Sequence, residues 1–191
     1  MKNQIIRCPW AEKTEEERNY HDNEWGRPLH DERKLFEMLI LEGQQAGLSW
    51  SIILKKRENF RMAYDNFDPE KIVRYDNKKI HELLMNPGII RNKLKINAVI
   101  SNAKAYLELK ESEGSLDNYL WRFVDNKPII NHWKEITQIP VKTQLSDHIS
   151  KDLKKRGFKF AGSTIIYSYL QATGIVNDHL MTCCVRSKIS G

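Results

Sequence analysis

The chain is short of cysteine, of long apolar runs and of strand-like alternation, and each shortage removes a class of protein. Three cysteines in 191 residues, Cys8, Cys183 and Cys184, cannot form a disulfide framework without leaving one thiol over. A secreted disulfide scaffold is therefore excluded, and a reducing cytoplasm is the expected compartment. No stretch approaches the roughly 18 apolar residues of a membrane span. The N-terminal MKNQIIRCPW has a basic residue but lacks the apolar centre of a signal peptide. Period-2 alternation is scarce, and there is no internal repeat or low-complexity tract. The expected class is all-α, and the length suits a single domain spanning 1–191 or two intimate subdomains.

What is present is basic and soluble in character. Hydrophobic residues make up 40%, and the formal net charge is +6. The mean hydropathy is −0.61 and the isoelectric point is near 9.1. Such a balance favours an acidic partner such as nucleic acid. Residues 1–30 read as irregular, with Trp10, Tyr20 and Trp25 scattered among charges. Asp31 is placed to cap a helix ending near Gly47, and Ser49 to cap a second one. Asp68-Pro69-Glu70 starts a short helix and Asp76 another, KKIHELLM. Asn86-Pro87-Gly88 breaks that helix before a longer one through Leu107. Residues 125–146 read as a loop holding some short structure. Ser146 or Asp147 can cap a helix running to Lys155 and ended by Gly157, and a last helix spans about 163–172.

The stretch LFEMLILEGQQAGLSW, Leu35 to Trp50, concentrates the interest. On a helix, Leu35, Phe36, Leu39, Ile40, Gly43 and Ala46 form one apolar face. Glu42 falls inside that face, where desolvation disfavours its charge. Three accounts fit: a structural ion pair, a displaced helix edge, or a cationic or proton-donating ligand. Gly43 and Gly47 would let another body approach the backbone, and Trp50 offers a flat face to a ring.

Two other patterns carry chemistry. Helix, then LLMNPGII, then helix over about 76–108 has the form of a helix-hairpin-helix. Gly88 would free the turn, backbone N–H groups would hold a phosphate, and Arg91, Lys93 and Lys95 would add charge. An ordinary helical hairpin with a solvated basic end fits the pattern as well. The basic run Lys151, Lys154, Lys155, Arg156 and Lys159 is either a second backbone clamp or a solvated helix face. His179 and Cys183, at i and i+4, share one side of a helical turn. Cys8 and His21 could complete four ligands suited to tetrahedral zinc, with no open coordination position. Two buried thiols and two surface histidines are the simpler alternative. Cys184 is the spare thiol, and His30, His81, His132 and His148 are assigned surface or capping roles.

YHDNEWG at Tyr20 to Gly26, LEGQQAGLSW at Leu41 to Trp50, LKKRGFKF at Leu153 to Phe160 and NDHLMTCC at Asn177 to Cys184 resemble the 3-methyladenine DNA glycosylase I family. The resemblance runs from Cys8 to about Cys184. It implies a helix-hairpin-helix glycosylase fold and a monofunctional enzyme that excises 3-methyladenine from alkylated double-stranded DNA as a monomer. It further implies one structural zinc on Cys8, His21, His179 and Cys183, tying the segments 1–30 and 174–191. Trp10, Tyr20 and Trp50 would wall the extruded base, with Glu42 as the catalytic carboxylate. Gly88, Arg91, Lys93, Lys155 and Arg156 would lie along the DNA. The chain departs from the family at Ile90, where a second hairpin glycine often stands, and at Glu17, where several relatives have tyrosine. A zinc-stabilised DNA-binding module without catalysis would keep the hairpin and metal ligands but have no use for Glu42.

Overall fold

The computed structural model describes residues 5–186. The outer ends of the segments expected to be tied by metal, 1–4 and 187–191, lie outside the described residues. The class is helical: α1 Glu15–Asn23, α2 Glu32–Gln45, α3 Trp50–Ala63, α4 Pro69–Ile72, α5 Asn77–Met85, α6 Lys93–Glu113, α7 Leu116–Trp121, α8 Gln144–Lys155 and α9 Ser163–Ala172. Two short strands, β1 Ile129–Ile130 and β2 Val176–Asn177, pair in parallel and join the long loop to the C-terminal segment. Among the described residues no helix is long and apolar enough to cross a membrane.

Helix α2 is the axis of the packing. It lies against α3, α6, α7 and α9, so residues 35–44 are all buried rather than one face alone. The charge this encloses on the α3 side is matched. Glu37 takes hydrogen bonds from Arg57 at 2.6 Å and Arg61 at 2.8 Å. Asp31 caps the helix by accepting from Lys34 N. At the other end the Lys95 ammonium donates to the carbonyls of Gln44 at 2.6 Å and Ala46 at 2.8 Å. A cation on terminal helix carbonyls is favourable in both charge and hydrogen bonding. This corrects the reading of Lys95 as a phosphate contact: it is 6% exposed and holds α2 onto α6.

Several other expectations change. Residues 9–23 are not irregular, because a 3-10 turn over Pro9–Glu12 leads into α1, capped by Thr14. That helix, EEERNYHDN, has almost no apolar periodicity, since its inward side chains are Glu17, Tyr20 and His21. Ser49 occupies the cap position of α3, but its hydroxyl bonds Ser51 instead of the backbone. Helix α8 begins earlier than expected. Thr143 caps it, and Ser146 returns a bond to Thr143 N, so the reciprocal Thr–Ser pair sets the start.

The turn between α5 and α6 differs from its reading in one physical respect. Gly88 does not adopt a left-handed backbone. A Cβ there would instead meet Asn59 Cβ and Cγ at 3.1 Å and Asn86 Oδ1 at 3.0 Å. A side chain here would require Asn59 of α3 and Asn86 to shift by a few tenths of an ångström. Its N–H already bonds Asn86 Oδ1 at 2.8 Å, and Asn92 Oδ1 takes the N–H groups of Leu94 and Lys95. Arg91 and Lys93 stand exposed beside this turn.

Candidate active site

Helices α1, α2, α3 and α9 and the 136–141 segment line an open cavity of about 620 Å³. Trp10, Tyr20, Glu42 and Trp50 all line it. They come from four separate places in the chain: the 3-10 turn, α1, the third turn of α2, and the start of α3. The rings follow one another, with Trp10–Tyr20 centroids 6.4 Å apart and Tyr20–Trp50 centroids 5.4 Å apart. Such spacing leaves flat faces for a planar ligand.

Several polar groups at this cavity lack partners. The Tyr20 hydroxyl and the Trp50 indole N–H are buried with no hydrogen bond. Glu42 is 4% exposed, and no described residue pairs with its carboxylate. Burial alone pushes its carboxyl up to about 8. The structural ion pair is therefore excluded as an explanation of Glu42. Buried polar groups are normally satisfied. Three unsatisfied ones around one aromatic cavity point to a ligand that supplies the missing bonds. Glu17 also lines the cavity and is buried, its carboxylate accepting from the Thr14 hydroxyl at 3.3 Å. Tyr167 and Gln171 of α9 line it too, and the sequence reading missed both. Their helical spacing was visible, but nothing in the sequence says that this face of α9 meets the cavity.

An unpaired buried carboxylate should be detectable in stability. Between the ordinary carboxyl range and about pH 8, folded Glu42 keeps a proton that the unfolded chain has lost. Its contribution to stability is therefore full at acid pH and falls as pH rises through that window. Glu42→Gln should melt above the wild type at pH 9, by an amount on the order of a few kcal/mol, and the gap should shrink towards pH 5. A melting difference that does not change between the two pH values would rule out this environment for Glu42.

The second cluster lies behind the first. Cys8, His21, His179 and Cys183 are all buried, with their ligand atoms within 4.8 Å of one another. Cys183 Sγ is 3.4 Å from His21 Nε2 and 3.5 Å from His179 Nδ1, and Cys8 Sγ is 3.7 Å from His179 Nδ1. The outward ring nitrogens are engaged elsewhere: His21 Nδ1 by Asp22 Oδ1 at 2.8 Å, His179 Nε2 by the Trp25 carbonyl at 3.1 Å. That is how metal-binding imidazoles are oriented. The Cys8 pairing, helped by His179 and His21, pushes the Cys183 thiol far down, while Cys8 itself is pushed up. Gly26 has φ +75°, and a Cβ there would stand 2.9 Å from His179 Nε2. The site needs glycine at that position. Trp10 and Trp25 lie edge-on to each other, and Trp25 meets both histidine rings, so cluster and cavity share a wall.

The proposed DNA-side residues are less uniform. Lys155 is exposed. Arg156 is engaged by Asp152 at 2.7 Å and by Glu113, and lies over the Tyr119 ring. Phe158 is core, and Phe160 packs on Gly43, where a Cβ would sit 3.2 Å from its own. The body that approaches Gly43 is thus the chain itself.

Fold and site together define a helical protein with an aromatic cavity that holds an unpaired, buried carboxylate. A family model described as methyladenine glycosylase matches residues 10–187. DNA-3-methyladenine glycosylase 1 of Escherichia coli (strain K12) is 48% identical over 178 residues, covering 93% of this chain and 95% of that protein. DNA-3-methyladenine glycosylase of Haemophilus influenzae (strain ATCC 51907 / DSM 11121 / KW20 / Rd) is 46% identical over 177 residues, covering 93% and 96%. A crystal structure of 3-methyladenine DNA glycosylase I superposes with a TM-score of 0.91 at 50% identity, covering 94% of this chain and 98% of that one. A structure of the Staphylococcus aureus enzyme, concerned with its recognition of 3-methyladenine, gives 0.91 at 36% identity, covering 94% and 96%. The chain belongs to the methyladenine glycosylase family.

Proposed function

We propose that this chain is a monofunctional DNA-3-methyladenine glycosylase acting in base-excision repair on alkylated duplex DNA. The observation that carries the reading is the convergence of unpaired Glu42, Tyr20 and Trp50 groups on one aromatic cavity. The damaged base must leave the helix stack to be reached, at a cost of a few kcal/mol. Trp10, Tyr20 and Trp50 receive it as stacking walls, and Glu42 meets its polar edge. Methylation at N3 gives the base a positive charge. With its carboxyl pushed up to about 8 by burial, Glu42 is largely protonated at neutral pH until a base binds, and the arriving cation favours the carboxylate. Neutral adenine offers no such charge.

When the N-glycosidic bond breaks, its electrons move onto the base and cancel that charge, while the sugar becomes cationic and takes up water. The leaving group needs no strong acid. Glu42 therefore acts by holding the extruded cation, and no general base is assigned. The family resemblance places no lysine as a nucleophile, so strand cleavage through a Schiff base is not expected.

The four-residue cluster fits zinc. Bonds of about 2.3 Å to sulfur and about 2.0–2.1 Å to nitrogen at tetrahedral angles place S and N donors about 3.5 Å apart. The observed 3.4, 3.5 and 3.7 Å accord with this. An ion held by these four residues would have no open position for substrate, and would tie the segment carrying Cys8 and His21 to the one carrying His179 and Cys183. The whole chain then acts as one glycosylase domain, a monomer. The α5–α6 turn within 76–108 is its helix-hairpin-helix, with Gly88, Arg91, Lys93, Lys155 and Arg156 along the duplex. Of these, Arg91, Lys93 and Lys155 are free to meet phosphate, whereas Arg156 would first have to leave its carboxylates. Arg91→Ala and Lys93→Ala should each lower the slope of log K against log salt by about 0.9 on duplex DNA, with no change in sequence preference. Identical slopes would remove these residues from the interface.

Release of free 3-methyladenine from methylated duplex DNA, with and without prior chelator treatment, tests the function. An enzyme with a structural metal releases the base and keeps its rate when chelator is added briefly below the melting transition. A binding module releases none, and a metal-dependent hydrolase stops at once.

A further inference from the structure

Glu42 is not the only buried carboxylate tied to the cavity. Asp178 has no solvent exposure, and the mechanism above does not use it. It accepts four hydrogen bonds. Asn131 Nδ2 and Trp133 Nε1 donate to Oδ1, each at 2.7 Å. Gln171 Nε2 donates to Oδ2 at 2.7 Å, and the Tyr167 hydroxyl donates to the same oxygen. All four partners are donors, and only a carboxylate can accept from all of them at once.

This arrangement fixes the polarity of part of the cavity. Gln171 and Tyr167 both line it. Because Gln171 must turn its amide nitrogen to Asp178, its carbonyl oxygen is the group left for a ligand. Tyr167 gives its only proton to Asp178, so its remaining capacity is also as an acceptor. Asn131 and Trp133 root the segment that continues to Ile136 and Val141, an apolar part of the lining. Asp178 touches nothing in the cavity itself, yet it decides which way two of its polar side chains face and where one wall stands.

We propose that Asp178 is a positioning residue that makes the α9 wall a hydrogen-bond acceptor, and so selects purines whose edge donates over those whose edge accepts. This rests on the base-excision reading. An adenine-type base presents an amino group at C6. A guanine-type base presents a carbonyl oxygen there, which would meet acceptors. The discriminated pair is therefore 3-methyladenine against 3-methylguanine.

The test uses Asp178→Asn in the full-length protein, with metal content and binding to abasic-site DNA as controls that should match the wild type. The asparagine NH2 must face one of its two pairs of donors, so that pair turns away. Preference for 3-methyladenine over 3-methylguanine, measured as the ratio of kcat/KM values, should fall roughly tenfold, the size of one hydrogen-bond discrimination. A purely structural role would lower the melting temperature and leave the ratio alone, and that result overturns the proposal. If Asp178→Asn does not fold, Gln171→Leu removes the amide oxygen directly and should lower the same ratio. An unchanged ratio in Gln171→Leu overturns the proposal equally. A wild type that releases 3-methyladenine beside variants with unchanged ratios rejects only the role of Asp178. A wild type that releases no methylated base rejects the base-excision reading and this inference with it.

Discussion

Cys8→Ala is expected to lose its metal and to melt far below the wild type. Cys8 belongs to the N-terminal segment and Cys183 and His179 to the C-terminal one, so the cluster closes nearly the whole chain into a loop. Without an ion, the cluster leaves thiols and imidazoles buried with only one another as partners. Loss of a structural metal belongs to the class of changes that reach about 4–5 kcal/mol or more. For a chain of this size that corresponds to a fall in melting temperature of roughly 10–20 °C. Cys184→Ala should retain one metal per chain, because Cys184 is not among the four clustered residues. Equal metal content in Cys8→Ala and wild type would remove Cys8 from the ligand set. The shared wall formed by Trp25 makes a further effect expected: metal loss should also loosen Trp10 and the cavity.

Glu42→Gln separates recognition from stability in the other direction. It keeps the size of the side chain but replaces an acceptor-only group by one that also donates. A charge-assisted hydrogen bond lost in a desolvated cavity is worth roughly 1.5–3 kcal/mol, hence on the order of tenfold to a hundredfold in excision rate or base affinity. Metal content and affinity for undamaged duplex should stay at wild-type levels, since Glu42 contacts neither the cluster nor the surface. The variant should also be the more stable protein at alkaline pH, as a residue retained for function at a cost to folding would require. Wild-type excision by Glu42→Gln would assign the carboxylate no part in recognition.

How much of this was legible in the sequence depended on where the determining contact lay. The helix starts at Asp31, Asp68 and Asp76 were readable because a cap bonds two or three residues ahead. The burden on Glu42 was readable because helical period places it among apolar neighbours. Helix α1 was not, since the buried cluster of Cys8, His21, His179 and Cys183 and the Arg7–Asp22 pair hold it instead of an apolar stripe. Lys95 looked like one more cation beside the turn, and only the fold brings the carbonyls of Gln44 and Ala46 to it, about fifty residues away in sequence. Gly88 was read as freeing the turn, whereas its constraint is the close approach to Asn59, which cannot be inferred from local sequence. Trp50 was singled out from its place after Gly47, Trp10 and Tyr20 as base walls only through the resemblance, and their convergence with Glu42 came only from the fold. Asp178 carried no signal beyond its place beside His179.

The most direct measurement is a titration of the wild-type protein with free 3-methyladenine and, separately, with adenine, reading the indole signals of Trp10 and Trp50 by NMR. Cavity recognition of the methylated base requires free 3-methyladenine to shift both indoles at concentrations where adenine shifts neither, and Glu42→Gln to weaken that response by at least roughly tenfold. Equal responses to the two bases, or a response that Glu42→Gln leaves intact, would contradict the assignment of this cavity to the damaged base.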